Sequence, residues 1–285
     1  GNGVCHQLQL ENFAKPGKTL VGSDSHTPTC GAMGMIAIGA GGLDVAVAMA
    51  TGKYYLQCPS VVKVNLVGKK APWVSAKDII LYILQQLTVK GGVNKIIEYT
   101  GKGIASLSLT DRATICNMGA ELGATTSIFP TDKRTKEYLQ QQGRVEDYIE
   151  IKADEDATYD QELTVDLSTL VPMTAKPHSP DAVVPVKELE GMKINQVVIG
   201  SCTNSSFADM MKAAKILKGR KVAEHVSLVI APGSSSILAM LAKNGALGDM
   251  VQAGARILEC GCGPCIGMGQ APLSKGCLLY TSDAA

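Results

Sequence analysis

Short runs rich in β-branched residues alternate along this chain with stretches of helical periodicity. VVKVNLVG at 61–68 precedes SAKDIILYILQQL at 75–87, and INQVVIGS at 194–201 precedes SSFADMMKAAKILKG at 205–219. VSLVIA at 226–231 runs into PGSSSILAMLAKNG, and ARILECGCGPC at 255–265 is a further strand entering a turn. Parallel neighbours in a sheet need long crossover connections, and helices supply them, so this order restricts the fold to α/β layers on largely parallel sheets. The expected class is a layered, doubly wound, mostly parallel α/β fold. Thirty glycines spread over 285 residues mark its sharp turns.

The chain has room for about two domains on the usual scale of roughly 100–200 residues each. The pattern divides it at 1–58, 59–178 and 179–276, with 277–285 set apart. A helix is expected from Gly42 to Tyr55 among glycine-dense loops. Further helices are expected over 75–87 capped by Ser75, over 109–124 with Thr110 or Asp111 near its cap, and from Thr131 to a stop at Gly143. The acidic, then proline-rich stretch 153–184 reads as a connection between domains. CLLYTSDAA at the end forms no expected element and reads as a foreign or scar tail.

With 27 basic and 26 acidic residues the formal net charge is +1, and no Lys/Arg run is present. That argues against nucleic acid or an anionic membrane as partner. No apolar stretch approaches the ~20 residues of a membrane span. No secretory leader is read at the start. Nine cysteines then read as reduced thiols of a cytoplasm-like compartment. Cys5, Cys30, Cys58 and Cys116, scattered among apolar neighbours, read as buried small hydrophobes.

Three other cysteines fall where strands end. Strand ends at Gly200, Pro232 and Glu259 would lie at one edge of one parallel sheet, the edge at which such sheets place ligands. Cys202 follows the first, and Cys262 and Cys265 follow the third. A turn-bound CxxC with a distant third thiolate suits a cluster needing only three protein ligands. A zinc knot with Cys260 as fourth ligand fits the spacing equally well.

GSDSHTPTCG at 22–31 puts Asp24, Ser25 and His26 directly after the apolar pair Leu20–Val21, hence in a loop at a strand end. A carboxylate, a hydroxyl and an imidazole there can bind a polar substrate and pass protons; equally, Asp24 and Ser25 can simply satisfy a turn. His6 in GVCHQLQLEN sits where alternation would bury it on one face, as a core histidine or a site residue. Asn117 and Glu121, four apart on the expected 109–124 helix, would share one face and need polar partners. Ser234–Ser236 read as a helix cap, and His178 and His225 as linker or surface residues.

Taken together, GNGVCHQ, GSDSHTPTCGAMG, TVKGG, ATICNMGAELGATTSIFP, IGSCTNSS and CGPCIG, in that order, resemble the aconitase superfamily over residues 1–276. The resemblance implies that Cys202, Cys262 and Cys265 are the three ligands of a [4Fe–4S] cluster with one open iron, with Cys260 a spare thiol. It implies that Asp24, Ser25 and His26 are a substrate-site triplet, that His6 is a site histidine, and that Asn117 and Glu121 are site residues. His6, Asp24, His26 and Glu121 are expected to be catalytic, and Asp24, Ser25, His26 and Asn117 to bind substrate. Residues 1–58 would then be the C-terminal part of a first α/β domain, and 179–276 a third, cluster-bearing one. The family's upstream Asp-His pair and its downstream Arg segments and swivelling domain have no counterpart here, so the expectation is an incomplete core.

The chemistry so implied is dehydration and rehydration of a small hydroxy-polycarboxylate. GSDSHTPTCG and CHQLQLENFAKPGKTL look closer to single-chain aconitate hydratases, acting on citrate and isocitrate, than to isopropylmalate or homoaconitate dehydratase large subunits. The rivals of another class are a zinc-binding module and an RNA-binding relative, and the near-neutral charge gives the latter no support.

Overall fold

The computed structural model describes residues 2–268 and the backbone of 279–281. The chain forms two compact units, residues 12–188 and residues 1–11 with 189–285. The opening segment therefore groups with the C-terminal part of the chain, and residues 12–58 with the middle. Helix α1 (Cys5–Asn12) opens the chain.

In the unit 12–188, β1 (Thr19–Gly22) and β2 (Ile36–Gly39) form a parallel pair, followed by α2 (Gly42–Thr51). A four-stranded parallel sheet follows in the order β5-β4-β3-β6, from β3 (Ser60–Val67), β4 (Lys95–Thr100), β5 (Thr126–Ile128) and β6 (Gln161–Asp166). Helices α3 (Ala76–Leu87), α4 (Leu109–Asn117) and α5 (Lys133–Gln141) lie between these strands in sequence. Alternation along β3 buries Val62, Val64 and Leu66, and α3 buries Ile79, Ile80, Ile83 and Leu84. Each such side chain contributes about 1.5–3 kcal/mol on leaving water, which is what holds this layer together. On the other face of β3, Lys63 and Asn65 meet Glu162 and Thr164 of β6.

The expected connection at 153–184 is instead built into this unit. It contains β6 and an antiparallel pair, β7 (Met173–Ala175) and β8 (Val183–Pro185). The start of α3 anchors the pair: Ser75 and Asp78 form a capping box, and the second carboxylate oxygen of buried Asp78 accepts from Met173 N at 2.6 Å. Gln85 Nε2 donates to the Val183 carbonyl at 2.9 Å. Acidic and proline-rich composition hid an edge strand and a hairpin.

In the other unit the sheet order is β11-β10-β9-β12, all parallel, from β9 (Gln196–Gly200), β10 (Ser227–Ala231), β11 (Arg256–Ile257) and β12 (Leu279–Thr281). Helices α6 (Phe207–Leu217), α7 (Ser235–Lys243) and α8 (Ala246–Gln252) supply Met210, Ala214, Ile237, Leu241 and Met250 to a core shared with Leu228 and Ile230. β12 corrects the expectation that the last nine residues form no element, since 279–281 extend the sheet beside β9. Residues 277–278 and 282–285 of that stretch lie outside the described residues.

Several boundaries shift for local reasons. Helix α2 stops at Gly52, whose left-handed backbone (φ 70°) ends it short of Tyr55. The cap of α4 is Ser108, with Asp111 closing the box, and the cap of α5 is Asp132 rather than Thr131. Gly143 (φ 68°) ends that last helix as expected. CHQLQLEN, despite its alternation, is helical. No helix among the described residues is long and apolar enough to cross a membrane.

Candidate functional site

The triplet Asp24-Ser25-His26 lies in the turn leaving β1, ahead of a 3-10 segment, Thr27–Met33. The last register pair, Gly22 with Gly39, brings the end of β2 against this turn. A Cβ on Gly39 would stand 2.7 Å from the Asp24 carbonyl oxygen and 3.1 Å from Ser25 Cα, so only glycine lets the turn pass. The Asp24 carboxylate accepts from the His26 backbone N–H at 2.8 Å. The His26 ring lies between two partners: Nδ1 is 3.2 Å from Ser25 Oγ and Nε2 is 3.4 Å from Glu121 Oε1. A carboxylate can only accept, so Nε2 carries a proton towards Glu121, while Nδ1 faces Ser25 Oγ and, at 3.7 Å, the Asp24 carboxylate.

Helix α4 ends at Asn117, and Glu121 sits in the 3-10 segment Met118–Leu122 that follows. The expected shared helix face is thus replaced by two separate roles. Glu121 reaches His26, whereas Asn117 is fully buried and its Nδ2 donates to Thr29 Oγ1 at 2.9 Å. Beside the turn opens a pocket of about 490 Å³ lined by Ser25, Pro28, Gly39, Tyr54, Asn94 and Thr125 among others. That volume is within the range of small-molecule sites.

In the other unit, β9 and β11 flank β10 in parallel register, so the turns carrying Cys202 and the Cys262–Cys265 pair leave the same sheet edge, as expected. Gly200 (φ 126°) packs where any Cβ would overlap the Ala231 carbonyl. Ser201 follows in the left-handed region (φ 61°), uncommon for a residue with a side chain. A pocket of about 350 Å³ is lined by Leu258, Glu259, Cys262, Pro264 and Met268. Burial, then the nearby Glu11 carboxylate, pushes the Cys260 thiol up, so it forms a thiolate less readily than an ordinary cysteine.

His6 lies on α1, buried to 3% exposure, with Cys5 Sγ 3.7 Å from its Nδ1. The segment before it docks on the turn after β10: Val4 N donates to the Gly233 carbonyl, Ser235 N to that of Asn2, and Ser234 Oγ to Glu11 Oε1 at 2.9 Å. His6 and the three cysteines thus belong to one unit. Of the cysteines read as buried hydrophobes, Cys30 and Cys116 are buried, but Cys5 and Cys58 are exposed. His178 and His225 are exposed.

The donor set fits a sulfur-ligated cluster. Three thiols leave one sheet edge, and the hydroxyls of Ser201 and Ser205, flanking Cys202, are buried without a hydrogen-bond partner. Buried donors of that kind suit a bound group rich in acceptors. A single tetrahedral zinc would hold its sulfurs about 3.7 Å apart. Among the described residues, no three of Cys202, Cys260, Cys262 and Cys265 bring their sulfurs within 4.8 Å of one another.

The chain belongs to the aconitase family (aconitate hydratase), which matches residues 1–190 and 187–283. It is 43% identical over 276 residues to the 3-isopropylmalate dehydratase large subunit 2 of Archaeoglobus fulgidus, covering 97% of this chain and 66% of that one. It is 46% identical over 285 residues to the mitochondrial aconitate hydratase of Schizosaccharomyces pombe, covering 94% and 36%. The chain thus spans about two thirds of the first relative and about a third of the second. The solved structure of Thermococcus kodakaraensis aconitase X (holo-form) shares the fold with a TM-score of 0.58 at 16% identity, over 100% of this chain and 66% of that one. Relatives of both enzyme types match at similar identity, so the expected leaning towards aconitate hydratase is not separated from the dehydratase.

Proposed function

We propose that this chain holds the cluster-binding and leaving-group residues of a hydro-lyase that reversibly dehydrates a small hydroxy-polycarboxylate. The observation that carries the reading is the set of three thiols leaving one parallel-sheet edge, two of them from a single CxxC turn. Cys202, Cys262 and Cys265 would hold a [4Fe–4S] cluster. The chemistry it supplies when bound is Lewis acidity at an iron without a protein ligand, drawing charge from a substrate hydroxyl. His26 delivers the proton that the departing hydroxyl needs, with Glu121 behind Nε2 and Ser25 at Nδ1 holding the ring. General-acid help of this kind is commonly worth ~10²–10⁴-fold in rate. Asp24 and Ser25 orient the turn and offer polar contacts to a carboxylate-bearing substrate, and His6 is a second candidate for proton transfer. Asn117 serves from beneath the turn.

The substrate we favour is citrate, isomerised to isocitrate through cis-aconitate. The second reading, a 3-isopropylmalate or homoaconitate dehydratase large subunit, is supported by the Archaeoglobus relative and brings a small-subunit partner with it. The reduced thiols suit the cytoplasm or another reducing compartment. The near-neutral charge gives an RNA-binding role no support.

The test is the absorption spectrum after anaerobic reconstitution with iron and sulfide, beside the Cys202→Ser variant. A broad band near ~400 nm, from sulfur-to-iron charge transfer and lost in the variant, is expected. A colourless chain holding one zinc would sink the reading. Turnover of citrate against 3-isopropylmalate by the longer protein then separates the two substrates.

A further inference from the structure

The hydrogen bonds beneath the triplet run in one direction. Asn117 Nδ2 donates to Thr29 Oγ1 at 2.9 Å, and Thr29 Oγ1 lies 2.6 Å from the His26 carbonyl oxygen. An amide nitrogen only donates and a carbonyl only accepts, so the Thr29 hydroxyl proton is committed to His26. The Thr29 backbone N–H reaches the same carbonyl at 3.0 Å. Above, the His26 N–H is taken by Asp24 Oδ1. Side chains therefore grip both backbone polar groups of His26, whose φ of −90° and ψ of 11° lie in the sparsely populated bridge region where many site residues sit. Thr29 is 2% exposed and Asn117 0%, so water does not compete for these bonds.

We propose that Thr29 is a positioning residue. Its hydroxyl ties the buried Asn117 amide to the His26 backbone and so holds the imidazole with Nε2 towards Glu121 and Nδ1 towards Ser25. The inference rests on reading His26 as the proton donor. Thr29 acts through that residue and does not itself meet the substrate.

The experiment reads the His26 ring directly. The chain has four histidines, so 15N-histidine labelling and long-range proton–nitrogen correlation give a short, assignable spectrum, with His26→Gln identifying the signal. At alkaline pH the wild-type ring should show one tautomer, protonated at Nε2. Thr29→Val should move the two ring-nitrogen resonances towards each other as the tautomers mix, and Thr29→Ser, which restores the hydroxyl, should return them. Thr131→Val is the control: Thr131 is also buried in the same unit and its hydroxyl donates to the Ile149 carbonyl at 2.7 Å, but it should leave His26 unchanged.

Thr29→Val removes the acceptor of the Asn117 Nδ2 bond, so the double variant Thr29→Val/Asn117→Leu, which removes that donor as well, is the arm least exposed to misfolding. A mixed-tautomer wild type, a double variant with wild-type ring signals, or a Thr131→Val chain that shifts His26 as far would each overturn the proposal. No cluster or turnover is needed, so an inactive enzyme would count against the proposed function and leave this result standing.

Discussion

The His26 turn and the Cys202 turn both follow a parallel strand that ends in glycine, yet they treat their polar groups in opposite ways. Around His26 the hydroxyls of Thr27 and Thr29 and the Asn117 amide all find partners among neighbouring side chains and carbonyls. Around Cys202 the hydroxyls of Ser201, itself in the left-handed region, and of Ser205 are buried and have none. Left-handed backbone at a residue with a side chain costs about 1–3 kcal/mol, and an unsatisfied buried polar group about 1–3 more. One turn is organised by the chain itself. The other carries strain and unmet donors that a bound, acceptor-rich group would offset.

The comparison breaks most visibly at the cysteines. Cys202→Ser should lower retained iron and labile sulfide by at least ~100-fold, beyond the 10–100-fold of second-shell losses, while Glu121→Gln leaves metal content alone. Equal losses in both variants, measured by metal and sulfide analysis, would erase the distinction between the turns.

Next in size is a change in the unit that carries the His26 turn. Arg112 is fully buried, and its Nη2 lies 2.6 Å from Asp132, which also caps α5. Asp132→Ala leaves an uncompensated buried charge and an uncapped helix. Allowing for the partial exposure of Asp132, about 3 kcal/mol of stability should be lost on urea titration. Ser201→Gly goes the other way. Relief of the left-handed strain, less the extra freedom of glycine in the unfolded chain, should raise apo stability by about 1 kcal/mol while cluster retention falls. A stabilised variant that also keeps its cluster better would mean that the serine hydroxyl has no part in holding it.

The smallest effect lies at high pH. Burial, then the hydrogen bond to Glu98, pushes the Tyr159 phenol up to about 12. The folded state therefore keeps a proton that the unfolded state releases from about pH 10. The stabilisation is full below pH 10 and is lost as pH rises towards 12. Tyr99, pushed up by burial, adds to the same decline. Tyr159→Phe should flatten part of that limb in denaturation midpoints taken between about pH 9 and 12, and an unchanged slope would remove Tyr159 from the account.

The strands and helices that meet at the cysteine edge were legible because apolar runs and glycine-marked ends carry a strong local signal. Caps were half legible: SLTD and TD each offer adjacent candidates, and only the backbone angles select Ser108 and Asp132. β6 was hidden because QELTVD is an edge strand with one fully buried side chain, Val165. The triplet could be read, but its support could not, since Asn117 reaches Thr29 across 88 residues and no local pattern records that bond. The unpaired hydroxyls of Ser201 and Ser205 likewise appear only once the turn is folded.

The docking of Asn2 against Ser235 spans 233 residues of sequence. At a synthesis rate of about 5–20 residues per second, the segment bearing His6 waits on the order of 10–50 s on the ribosome before its receiving turn exists. The contacts that dock the segment before His6 thus close only after residue 235 has been made, so folding of this unit waits on translation of its own later strands.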